Sequence, residues 1–104
     1  MTTVYQPNGI PLTDYERELL TILIEEAAEV TQAATKLLRF GKENRPDTGK
    51  SNSEVLGLEI GDLICLIEMI EDADLAAAGV IEDGRLRKRE RLSHYMQYDE
   101  QGKR

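Results

Sequence analysis

Apolar residues recur along this chain with a helical period, and nowhere with the two-residue alternation of a half-buried strand. The first periodic stretch follows an irregular lead-in, residues 1–12, broken by Pro7, Gly9 and Pro11. Thr13 with Glu16 three residues on predicts a capping box, and Leu12 is placed as a hydrophobic staple. From there the period runs to about Phe40, where Gly41 supplies a C-terminal stop, giving a helix of about 27 residues. Lys42 to Asn52 holds Pro46, Gly49 and many polar residues and reads as a loop. Asn52 or Ser53 can cap a second helix that continues to about Asp74. A short helical turn over Leu75–Ala78 is expected to close at Gly79. A basic, amphipathic third helix should run from about Asp83 or Arg85 to Gln97, and residues 99–104 read as a frayed tail. The pattern predicts one all-α domain, residues 1–104: an antiparallel helical bundle of two long helices and a C-terminal amphipathic helix.

Two acidic pairs interrupt the apolar faces of the long helices. On a wheel of about 100° per residue centred on Glu26, the residues Leu19, Ile22, Leu23, Val30, Ala33 and Leu37 all lie within about 60°. Glu29 falls at one edge of that arc and Glu25 slightly beyond. Around Glu59 the second helix places Val55, Leu63, Leu66 and Ile70 within about 40°, with Asp62 about 60° round. Residues three apart on a helix are neighbours at about 5–6 Å, so each pair repels itself and two facing pairs repel further. Protonation or a hard cation relieves such a cluster. Carboxylate oxygens without histidine or cysteine suit Mg2+, with Mn2+ as a substitute, and not zinc. The alternative, that acids three apart are ordinary surface residues, is weakened by both pairs lying inside apolar arcs. A carboxylate-bridged di-iron centre would need histidine ligands, and the sole histidine, His94, is on neither acidic helix.

Composition narrows the partners. With 104 residues and a formal charge of −7, the surface repels a nucleic-acid backbone. No apolar run is long enough for a bilayer, and the N-terminal residues lack a signal pattern, so no membrane association and a cytoplasmic location are expected. The single cysteine, Cys65, lies in a helical apolar run and reads as a buried structural thiol. Gly57 and Gly61 are expected to permit close helix approach. Neither a glycine-rich phosphate loop nor a serine or cysteine nucleophile with a histidine base is present, which favours direct attack by water. The second helix is apolar round about two-thirds of its circumference, more than two neighbouring helices cover. A homodimer, or a dimer of dimers, is the expected solution.

The run EEAAE (25–29), a spacer containing KLLRFG (36–41) and SNSEVL (51–56), then EIGD (59–62) resembles the MazG-like all-α nucleoside triphosphate pyrophosphohydrolases. Their signature is Glu-x-x-Glu, a spacer, then Glu-x-x-Asp, and the resemblance extends over roughly Tyr15 to Tyr98. It implies that Glu26, Glu29, Glu59 and Asp62 ligate Mg2+, with Glu25 a nearby acid able to orient or deprotonate water. Glu25 and Glu26 would then be the catalytic acids. It also implies hydrolysis of a (d)NTP between the α and β phosphorus to a nucleoside monophosphate and pyrophosphate, in nucleotide-pool house-cleaning, by oligomers whose sites can draw on both subunits. Phosphoribosyl-ATP, which related enzymes cleave, stays open as a substrate. The Val30–Leu58 spacer is long for such a protein.

A triphosphate also needs cations. Lys36 lies seven residues beyond Glu29 on the same helix edge, about 10 Å along. Lys88, Arg91 and Tyr95 share one face of the third helix, and the resemblance places comparable residues near the phosphates. A solvated face is the alternative for them. Asn52 resembles an asparagine that precedes the second motif in such proteins, with a plain helix cap as the alternative. The rival to the enzyme as a whole is a non-catalytic helical dimer that binds nucleotide or a partner protein.

Overall fold

The structure, a computed structural model, describes residues 11–43, 47 and 49–103. Three helices follow one another: α1 (Asp14–Phe40), α2 (Asn52–Asp72) and α3 (Ala78–Tyr95), with no strand among the described residues. The chain is all-α. No helix among these residues is long and apolar enough to cross a membrane.

The ends of α1 are set by the expected chemistry. The Thr13 hydroxyl accepts from the Glu16 N–H at 3.1 Å, and the Glu16 carboxylate accepts from the Thr13 N–H at 2.8 Å. These two bonds satisfy donors that the first helical turn leaves open. Leu12 makes no staple, because the position it would pair with is Arg17. At the other end Gly41 takes φ 76° and its N–H closes on the Leu37 carbonyl at 2.8 Å. A side chain at that φ would be strained, which is why the helix stops at a glycine.

The cap of α2 is Ser51, one residue before the expected positions, its Oγ accepting from the Glu54 N–H at 2.9 Å. Asn52 is inside the helix and does other work. Its side chain is 3% exposed, its Nδ2 donates to the Gly41 carbonyl at 3.0 Å and its N–H donates to the Glu43 carbonyl at 3.1 Å. The start of α2 is thereby pinned to the end of α1, and the two helices run antiparallel along one seam. Leu19 and Ala33 of α1 and Leu66 and Ile70 of α2 are its buried residues. Ile22, Leu23, Val30, Leu37, Val55 and Leu63 are half-buried beside them, the positions that the wheel places inward.

α2 ends in a Schellman motif. The Leu75 N–H bonds the Ile70 carbonyl at 3.1 Å and the Asp74 N–H bonds the Glu71 carbonyl at 2.9 Å, with Asp74 in the left-handed region at φ 59°. No separate turn of helix forms over Leu75–Ala78. α3 starts at Ala78 and takes Gly79 into its first turn, earlier than expected, and ends at Tyr95. Its amphipathic character is not realised within the chain. None of its residues is buried, and only α1 and α2 pack substantially against each other. After α3 a local turn forms, the Asp99 carboxylate accepting from the N–H groups of Gln101 (3.0 Å) and Lys103 (2.8 Å).

Two further expectations are corrected. Cys65 is exposed, because it lies about 120° from Glu59 and so off the seam. Added Cβ atoms at Gly57 and Gly61 would meet nothing within 4 Å, so neither glycine serves a close approach inside the chain.

Candidate metal centre

The hairpin seam carries Glu26 and Glu59 toward each other near its middle, both half-buried, with Asp62 one turn further along α2 and exposed. One carboxylate oxygen from each of Glu26, Glu59 and Asp62 lies within 4.8 Å of the others. Three anionic oxygens from two helices thus converge, and the convergence follows from the antiparallel pairing that Asn52 and the apolar seam impose. Among the described residues no lysine or arginine forms an ion pair with any of the three.

The electrostatics follow from that. The Glu26 carboxyl is pushed above its ordinary value, first by desolvation in the seam and then by the negative charges of Asp62, Glu59, Glu29 and Glu25, in that order. Every neighbour acting on it raises it. A hard divalent cation among the oxygens would outweigh that repulsion and favour the charged carboxylates. The donor set fits such an ion, being carboxylate oxygen throughout, on the rigid middle turns of two packed helices.

The remaining acids stand apart from the trio. Glu29 and Glu25 are exposed and act on Glu26 through charge, and Glu29 is not among the converging oxygens. The picture of four inward acids therefore holds for Glu26 and Glu59 and not for Glu29 and Asp62, which lie about 60° round, where the seam opens to solvent.

The cationic and polar candidates divide more sharply. Lys36 is on the exposed part of α1. Lys88, Arg91 and Tyr95 are exposed on α3, which makes no substantial packing with the acidic hairpin, so one chain does not assemble them around the carboxylates. Asn52 is not the cap of α2; it is buried, and its Nδ2 donates to the Gly41 carbonyl. That latch was hidden from sequence reasoning because it joins residues 11 apart through a loop. The only signal was an amide residue beside a helix start. Arg39 is exposed and lies over the Phe40 ring at 4.9 Å.

Compared with protein-family models, curated proteins and solved structures, the chain finds no match in any of the three.

Proposed function

We propose that the chain is a Mg2+-dependent nucleotide pyrophosphohydrolase that cleaves a (d)NTP between the α and β phosphates, releasing a nucleoside monophosphate and pyrophosphate. The observation that carries this reading is the convergence of Glu26, Glu59 and Asp62 oxygens within 4.8 Å, without a paired cation, on two packed helices. The Glu-x-x-Glu and Glu-x-x-Asp spacing, with its resemblance to the MazG-like enzymes, supplies the substrate class.

In this reading Glu26, Glu59 and Asp62 hold the ion and Glu29 joins them by a side-chain rotation at the seam's edge. The bound ion would neutralise phosphate charge and acidify water. Glu25, exposed beside Glu26, would accept a proton from an attacking water. Lys36 would meet the part of the phosphate chain that the ion leaves uncovered.

The test is a panel of standard and modified (d)NTPs incubated with Mg2+, assayed separately for pyrophosphate and orthophosphate. Pyrophosphate release that disappears in Glu59→Gln is the expected result. Orthophosphate alone means a different reaction. One observation favours the rival, a non-catalytic helical dimer that binds nucleotide or a partner protein: α3 leaves its basic residues away from the acids of its own chain. Nucleotide binding without turnover under any divalent ion would select that rival.

A further inference from the structure

With five bases against three acids α3 is net +2, so the other residues of a chain of net −7 carry −9. It nevertheless stands away from the acidic hairpin, and among the described residues neither Lys88 nor Arg91 forms an ion pair. On a wheel of about 100° per residue, Ile81, Lys88, Leu92 and Tyr95 fall in one stripe about 60° wide. Arg91 lies beside that stripe, and Glu82, Asp83 and Glu90 lie outside it. On the acidic flank of α2, Leu58, Asp62 and Met69 fall in a stripe about 40° wide. Leu58 is exposed, whereas Met69, Ile81 and Leu92 are half-buried. The connection between the two helices, residues 73–77, has a length that joins antiparallel neighbours. It contains Asp74 at φ 59°, a conformation that a side chain disfavours and that rotation at this residue would relieve.

We infer that α3 is a strap that turns about residues 73–77 and closes on the acidic flank of its own chain, Lys88 against Asp62 and Arg91 against Glu59. The register carries this. Folded back antiparallel, α3 is level with α2 at equal distances from Asp72 and Ala78, the helix ends that the connection joins. Met69 then meets Ile81, Asp62 meets Lys88, Glu59 meets Arg91 and Leu58 meets Leu92. Apolar residues face apolar ones and cations face acids in all four pairs. A slip of one residue destroys the match, setting Leu58 against Ser93 or Arg91 and Glu59 against Leu92 or Glu90. The short tether keeps the two cations at high local concentration beside the carboxylates. Closed, the strap neutralises with Lys88 and Arg91 the oxygens that the metal reading gives to Mg2+, and on that reading this competition rests. Mg2+ binds only the open form and so shifts the population toward it.

Two measurements on the full chain test it. In a Cys65→Ser background, Leu58→Cys with Leu92→Cys should form a disulfide within one chain under mild oxidation in excess chelator. Saturating Mg2+ should slow that reaction, and Leu58→Cys with Ser93→Cys, off the stripe, should not react. Calorimetric titration with Mg2+ alone supplies the second reading and needs no core substitution. Lys88→Ala with Arg91→Ala should tighten Mg2+ binding about tenfold, the factor by which a site open one-tenth of the time is weakened. Arg87→Ala with Arg89→Ala removes the same charge from other faces of α3 and should leave the affinity unchanged. No disulfide, or one formed only between two chains, overturns the strap. Equal tightening by both double variants overturns it as well, since the effect would then be general charge and not contact. The disulfide in chelator needs no metal, so it survives a failure of the metal reading, whereas Mg2+ binding without the disulfide is a failure of the strap alone.

Discussion

At the scale of single residues, two side chains sit where physics opposes them. Asp74 holds the left-handed position that ends α2, at a helix C-terminus that already carries Glu71 and Asp72 and no basic residue in its last turn. The conformation disfavours any side chain, and the helix dipole disfavours a negative one. Asp74→Gly should raise stability by about 1 kcal/mol, read as a higher urea midpoint at unchanged slope. A lower midpoint would mean that the aspartate makes a compensating bond. Glu26 is the second case. Its folded pKa lies above the 4.5 of the free carboxyl, so the folded state holds the proton more tightly than the unfolded one. Stability from this group is therefore lost as pH rises from 4.5 through the raised value, and is not regained above it. Relative to Glu26→Gln, the metal-free wild type should lose melting temperature as pH rises from the free carboxyl's 4.5, and Mg2+ should restore it in the wild type alone. Parallel melting curves for the two proteins at every pH would remove Glu26 from the site.

At the scale of elements, the three helices differ in what holds them. α1 and α2 have side-chain caps and a shared seam. α3 has neither: its N-cap is Ala77, which offers no side-chain bond, and its one ion pair, Arg85 with Glu82 at 2.7 Å, is exposed. Such a pair contributes little. Gly84 lies in its interior, where an added Cβ would meet nothing within 4 Å. Gly84→Ala should then strengthen α3 by roughly 0.5–1 kcal/mol, seen as slower amide exchange across Ala78–Tyr95 with exchange in α1 unchanged. No change in α3 would show that packing, and not propensity, governs it. This contrast also marks how far the sequence could be read. Thr13, Glu16 and Gly41 carry local signals whose bonds close within a turn or two, and the boundaries of α1 were legible to the residue. The seam was legible as well, because Leu19, Ala33, Leu66 and Ile70 repeat with the helical period. The start of α3 was not. Ala77 is no cap residue, and Gly79 resembles a stop while sitting inside the helix. Of the acids, the wheel placed Glu26 and Glu59 in the seam, yet it could not tell a residue at the seam's edge from one beyond it. For that reason Glu29 and Asp62 came out exposed, and only Asp62 joins the convergence.

At the scale of the whole molecule, the question is what lets so small a core hold. Leu19, Ala33, Leu66 and Ile70 are the buried apolar residues among those described, and the radius of gyration is 18.1 Å, where a compact chain of this length has about 13 Å. Four buried apolar residues make a thin seam for a chain of 104 residues, so support from outside the hairpin would add to its stability. Two supports remain open to it, the ion at the acidic edge and the homodimer expected from the apolar circumference of α2, and they leave different thermodynamic signatures. Metal stabilisation depends on free Mg2+ and is indifferent to protein concentration. A dimer that unfolds to two free chains gains about 1.4 kcal/mol for each tenfold increase in chain concentration. Spread over the unfolding entropy of two such chains, that is about 3 °C in melting temperature per decade. We therefore expect the melting temperature, measured in excess chelator, to climb by about 6 °C over a hundredfold range of protein concentration. A constant value across that range, with cooperative unfolding intact, would show that the hairpin stands alone and that the apolar circumference of α2 answers to something other than a second copy.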